Sequence, residues 1–402
     1  MLEEIIALFL GLLAGTLTGL FPGIHVNLVS VFLLSASPLL LTIASPISLA
    51  IFIVSMSITH SFLDFIPSIF LGAPDEDTFL SILPGHQLLK EGKGYEAVIL
   101  SFYGSLTALV LLIIFIPLFI VFLPLVNPYI IPLIPFLLIF ISLFIIFRDK
   151  NLLLSLMIFL LAGSLGFLTL NLPIKEPLLP LLTGLFGTSA LLLSLKNKSE
   201  KIPYQFIPKL KEIKIPKNQF IKSILLAGIS APFCSFFPGV GSAHAATIAS
   251  EMSKQDSKSF LFLIGLINFL VTSLSFVTIY SINKARSGTA VAVKEILKSI
   301  SSSDLIYIIV AIFVSSCLSF ILGVYITKNI TLLFNKINYK YLTVITIVTL
   351  LIVNILFSSP LGLIVLLSST ALGIFTILSE SRRINLMGCL LIPTIIFYLL
   401  GN

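Results

Sequence analysis

From Ala97 to Phe122 the chain runs without a charged side chain, and it does so again from Leu152 to Leu170. At about 1.5 Å per helical residue, some 20 apolar residues cover the ~30 Å hydrocarbon layer of a bilayer. Comparable stretches recur from end to end, so the sequence predicts an all-α polytopic membrane protein with about 11 to 12 helical segments. With 57% hydrophobic and 10% charged residues and a mean hydropathy of +1.15, a water-soluble fold would have nowhere to hide its apolar surface. The runs are continuous and do not alternate, which excludes a β-barrel.

The formal charge of +7 is concentrated in one place. Eight lysines fall between Lys196 and Lys222, among Pro203, Pro208 and Pro216 and opposed only by Glu200 and Glu212. This reads as a cytoplasmic linker under the positive-inside tendency, in a multi-pass protein of the cell membrane. No folded basic module surrounds the lysines, so nucleic acid is not an expected partner. The linker (196–222) divides the chain into a first membrane repeat (1–195) and a second (223–402). Cys234, Cys317 and Cys389 sit in apolar stretches without metal-ligand spacing and read as packing residues. Glu3 and Glu4 stand where a signal peptide would carry positive charge, so the first helix is expected to be retained. No metal and no cofactor are expected.

Two short breaks interrupt the apolar pattern. Phe21-Pro22-Gly23-Ile24-His25-Val26-Asn27 ends the first run, and Phe237-Pro238-Gly239-Val240-Gly241-Ser242-Ala243-His244 follows 216 positions later. The same displacement places Gly72 on Gly288. Proline removes a backbone donor and glycine relaxes the chain, so such a break survives in a membrane only inside protein or beside a wet cavity. Matching breaks in two halves are the sequence mark of inverted repeats with re-entrant or broken helices and a binding site where they meet. A helix restarting after each break presents unpaired N–H groups and its positive dipole end, which suit an anion. The candidate substrate-binding residues are therefore Pro22, Gly23, His25, Asn27 and Ser30 in one half and Pro238, Gly239, Gly241, Ser242, His244 and Thr247 in the other. The competing reading is a plain kink, with both histidines satisfied by backbone carbonyls.

Other polar residues stand out against the apolar background. His60 and Asp64, one turn apart within an apolar segment, share a helix face and are candidates for coupling to H⁺ or Na⁺; the alternative is solvation near Pro67 and Pro74. Lys284 and Arg286 precede Gly288 and either attract an anion or lie at the interface as snorkelling side chains. Asp75, Glu76 and Asp77 lack the alternation of a calcium loop and read as solvated loop charge. In the first helix, Gly11, Gly15 and Gly19 recur every fourth residue, a spacing that lets a second helix approach closely.

Leu71-Gly72-Ala73-Pro74, Leu83-Pro84-Gly85-His86-Gln87 and Lys90-Glu91-Gly92-Lys93-Gly94, together with Pro22-Gly23 and Pro238-Gly239-Val240-Gly241, are similar in order to the motifs of one family. The chain resembles the large membrane subunit, TctA, of tripartite tricarboxylate transporters, as a short and divergent member. That resemblance implies a transporter, not an enzyme, working with a small membrane subunit and a solute-binding protein. The expected function is a secondary transporter of a small organic anion of carboxylate type, moved by alternating access between two repeats and coupled to H⁺ or Na⁺. A translocase for a phosphate-headed lipid such as polyprenyl phosphate is the alternative within the same architecture. A membrane-embedded lipid-modifying enzyme using His25, His60, His86 and His244 ranks below both, since no nucleophile elbow or metal-ligand spacing accompanies them. Membrane lipids and a second copy of the chain complete the expected partners.

Overall fold

The computed structural model describes residues 2–21, 26–73, 77–196, 203–237, 241–336 and 339–400. Among these residues there are helices and loops and no strand, and eight helical stretches are long and apolar enough to cross a membrane. The first half contains α1 (Leu2–Leu20), α2 (Val26–Leu40), α3 (Pro46–Leu63), α4 (Phe65–Leu71), α5 (Ile82–Lys90), α6 (Gly94–Ile130), α7 (Ile134–Phe147), α8 (Leu152–Asn171), α9 (Leu178–Leu182) and α10 (Ser189–Lys196). The second contains α11 (Lys217–Ser235), α12 (Ser242–Met252), α13 (Ser257–Ile282), α14 (Gly288–Leu297), α15 (Ser302–Phe334), α16 (Tyr339–Leu378) and α17 (Gly388–Leu400).

Local chemistry sets several of these boundaries. Ser45 caps α3 by accepting from the Ser48 N–H, with Pro46 in the first turn where its missing donor costs nothing. Gly72 ends α4 at φ 64°, a left-handed cap that glycine adopts without strain. Helix α6 continues through Pro117, Pro124 and Pro128, all three exposed, to Ile130. Helices α9 and α10 are joined by a π-helical turn, Thr183–Thr188.

The centre of the molecule is the pair α3/α4 and α13, buried along nearly their whole length. Helix α1 runs parallel to α3. A Cβ on Gly15 would collide with the Met56 carbonyl and lie 2.7 Å from Thr59 Cβ, and Gly11 and Gly19 are equally tight against Ser55 and Leu63. The Ser45 N–H donates to the Glu3 carboxylate at 2.6 Å, so α1 and α3 start at one level. Helix α11 runs parallel to α13: near their starts the Phe220 and Phe262 rings lie 5.3 Å apart, and at their far ends Phe236 and Ser281 both contact Phe119.

Helices α6 and α13 are parallel, tied by Lys258 to Glu96 at 2.5 Å, Ser105 to the Gly265 carbonyl at 3.1 Å and Ser281 to the Phe119 carbonyl. Their starting end is also where α4 finishes, since Phe70 packs beside Gly94. The linker lies across that face: Gly94 N–H donates to Gln205, Phe206 N–H to the Gly92 carbonyl and the Tyr103 hydroxyl to the Leu210 carbonyl. The α1/α2 pair therefore enters from the face opposite the linker, and α11/α12 from the linker face. Val26 and Ser242, which open α2 and α12, are 216 residues apart.

The remaining helices exchange partners between halves. Helix α8 packs on α17, with Gly163 against Ile392 and Gly166 against Cys389, while α16 packs on α9 and the π-helical turn, with Gly184 against Ser369. Outward-facing side chains such as Phe136, Leu153, Leu168 and Ile321 are apolar and exposed, as a lipid-facing surface requires.

Candidate functional site

Between the two entering helix pairs lies a cavity of about 240 Å³. Three helices present their N-terminal residues to it: Val26 and Asn27 of α2, Gly241 with Ala243 and His244 at the start of α12, and Ser287, Gly288 and Thr289 at the start of α14. The first N–H groups of a helix have no intrahelical acceptor, so each of these ends carries partial positive charge. Helices α3 and α13 complete the wall with Ser57, His60, Ser61, Asp64, Asn268 and Thr272. The starts of α2 and α14 interlock, for a Cβ on Gly288 would lie 3.0 Å from Asn27 Cβ, and the Thr289 N–H donates to Asn27 Oδ1 at 3.4 Å.

Arg286 is the arginine or lysine that lines the cavity among the described residues. Its side chain is 9% exposed, and Nη2 stands 4.0 Å from an Asp77 oxygen, too far for a hydrogen bond. Asp77 also accepts from the Ser242 hydroxyl. Gly241 makes room for the guanidinium, because a Cβ there would lie 2.9 Å from Arg286 Nη2.

His244 shows its tautomer through its partners. The Gly241 N–H donates to Nδ1 at 3.1 Å, so Nδ1 is an acceptor and the neutral ring carries its proton on Nε2. Nε2 is buried with no hydrogen-bond partner among the described residues. A donor is thus held at the cavity wall with nothing to receive it. His60 Nδ1 lies 3.1 Å from Thr18 Oγ1, and Asp64, at the bend between α3 and α4, is 3% exposed.

On the linker face a polar hub fixes α12. Glu251, near its C-terminus and almost wholly buried, receives Arg148 at 3.0 Å and Arg382. Beside it, burial alone would raise the Asp149 carboxyl. Hydrogen bonds from the Arg382 N–H, Ser381, Asn385 and the Lys150 N–H outweigh that and hold it below the ordinary carboxylate value. The Arg148-Asp149-Lys150 loop thus ties the far helices to α12.

Of the residues singled out in sequence, Asn27, Gly241, His244, Arg286, His60 and Asp64 meet at the cavity. Ser242 stands one bond behind it, on Asp77. Ser30 turns to the Val26 carbonyl at 2.9 Å, Thr247 is buried, and neither of them nor Lys284 is among the lining residues. Pro22, Gly23, His25, Pro238 and Gly239 lie outside the described residues, as do Asp75 and Glu76. Asp77 departs from the expectation of solvated charge: it lines the cavity, beside Thr78, which is hydrogen-bonded to Ser68 at 2.8 Å. Ser287 and Thr289 were not anticipated. The signal was available, since a serine beside Gly288 is a helix cap, and Ser287 does accept from the Ala290 N–H.

Fold and site define a multi-pass α-helical membrane protein with a cavity where the starts of α2, α12 and α14 meet. The family model described as "Tripartite tricarboxylate transporter TctA family" matches residues 5–388, and the chain belongs to that family. It is a membrane transporter, of a family whose members work with the TctB and TctC components. The chain is 32% identical to the uncharacterized protein MJ1079 of Methanocaldococcus jannaschii over 409 residues, 99% of this chain and all of that one. No solved structure matches it.

Proposed function

We propose that the chain is a secondary transporter of a small organic anion of carboxylate type, in the cell membrane, with the cavity as its central binding site. The observation that carries this is the convergence of three helix N-termini with Arg286 and the His244 Nε2–H on one cavity. Helix termini and a buried imidazole bind a carboxylate without needing several formal charges. The 216-residue displacement of Val26 and Ser242, and entry of the two helix pairs from opposite faces, support two inverted repeats spanning 1–195 and 223–402 on either side of the linker. Rocking of one repeat against the other would open the cavity to each face in turn. His60 and Asp64, on the face of α3 that meets the cavity, are suited to carry the coupling H⁺ or Na⁺.

A thermal-shift series on purified protein tests the reading, because a ligand that binds only the folded state must stabilise it. Mono-, di- and tricarboxylates, inorganic phosphate and a polyprenyl phosphate are the probes. Stabilisation by a carboxylate, matched by its uptake into proteoliposomes along an H⁺ or Na⁺ gradient, is the expected result. Stabilisation by polyprenyl phosphate alone would transfer the site to a lipid head group.

A further inference from the structure

A second cavity, of about 350 Å³, lies closer to the linker face. It contacts α13 at Ser257 and Phe260, whereas the central cavity contacts the same helix at Asn268 and Thr272. At about 1.5 Å per residue the two are stacked in series, some 12 to 22 Å apart along α13. Phe79, in its wall, is two residues from Asp77 of the central cavity, and its ring packs 4.3 Å from that of Phe186.

The charge of this space is one-sided. Arg382 and Arg383 line it, and among the described residues no aspartate or glutamate does. Arg382 is paired with Glu251. Arg383 has no carboxylate partner among the described residues: Nη2 donates to the carbonyls of Leu185 at 3.2 Å and Phe186 at 2.8 Å, and the guanidinium lies over the Phe186 ring at 5.5 Å. Its Nε is buried without a hydrogen-bond partner. The π-helical turn explains part of this, since it leaves carbonyls for Arg383 to satisfy. It does not supply a counter-charge, and a guanidinium withdrawn from water without one is costly.

We propose that this cavity is a second anion site, taking a small carboxylate on Arg383, in series with the central cavity on the linker side. That its ligand is the transported solute rests on the function proposed above; that it binds a carboxylate does not. The aromatic walls favour an organic anion over a fully hydrated inorganic one, because phenyl rings cannot replace lost water contacts.

The chain contains no tryptophan, which makes a direct test possible. Leu83 lines the cavity and is 62% exposed, so Leu83→Trp places a single indole at its rim. In this background, titration with succinate, citrate or phosphate should give a saturable fluorescence change with a carboxylate. Adding Arg383→Gln should raise its midpoint by at least ~10-fold, while adding Arg286→Gln should leave the midpoint where it was. Should Arg383→Gln fail to fold, Arg383→Lys, which keeps the charge and loses the fork, should still weaken the titration several-fold. No fluorescence change with any carboxylate, a response to phosphate alone, a midpoint indifferent to Arg383, or one lost with Arg286 would overturn the assignment. A protein that titrates here yet takes up no carboxylate would remove the transport reading and leave this site standing.

Discussion

Arg286→Gln is the perturbation that bears most directly on the central cavity. At 4.0 Å from Asp77 the guanidinium is attracted to the carboxylate without being bonded to it, so its donors remain free to turn to a ligand. Two unit charges at that distance attract by ~4 kcal/mol at an effective dielectric of about 20, an upper bound before desolvation. A hydrogen bond to a charged group contributes a net ~1.5–3 kcal/mol. Loss of Arg286 should therefore weaken anion binding by about 10- to 100-fold, with the helix N-termini and His244 retaining the rest. The assay is isothermal titration of the carboxylate found by thermal shift, on wild type, Arg286→Gln, Asp77→Asn and the double variant. If Arg286 serves the ligand, Asp77→Asn should leave affinity equal or tighter, because it removes a competing negative charge. Equal losses in both single variants, with no further loss in the double, would show that the pair matters only to each other and would refute the reasoning.

Three further outcomes are expected. Gly15→Leu should destabilise the protein by several kcal/mol or prevent its folding, since α1 and α3 would be forced apart at Met56 and Thr59; detergent thermal melts read this, and a melting temperature equal to wild type would contradict the packing. Glu251→Gln removes the negative charge shared by Arg148 and Arg382 and leaves two cations unbalanced, at a cost below the about 3–5 kcal/mol of a fully buried pair because both arginines are more than a third exposed; a lowered melting temperature, partly recovered in Arg382→Gln/Glu251→Gln, is the expected pattern. In α5, on the linker face, burial first and then the charges of Arg383 and Lys90 push the His86 ring down from 6.5 to about 4. The unfolded chain then binds a proton that the folded chain refuses, so stability falls as pH drops from 6.5 towards 4; melts of His86→Gln across that window should show a flatter dependence than wild type.

Much of the architecture is legible in the chain itself. Uninterrupted apolar runs determined an all-helical membrane protein, because a bilayer accepts nothing else built from such segments. The every-fourth-residue glycines of α1 announced a close helix contact, and the displaced Pro-Gly motifs announced where helices restart. Asn27, His244 and Arg286 were visible as polar residues that an apolar background must justify.

What tertiary structure alone decided is which of these groups meet. Asp77 reads as loop charge, yet in the fold it lies beside Ser242, 165 positions away. The accepting nitrogen of His244 depends on the Gly241 N–H, a matter of cap geometry that composition does not encode. Arg382 and Arg383 are neighbours in sequence, yet one finds Glu251, 131 positions away, and the other the carbonyls of a π-helical turn and the Phe186 ring. Hydrophobic periodicity is a local property and fixes the helices. Pairing of polar groups across 100 to 200 residues is not local, and it emerges only when the helices pack.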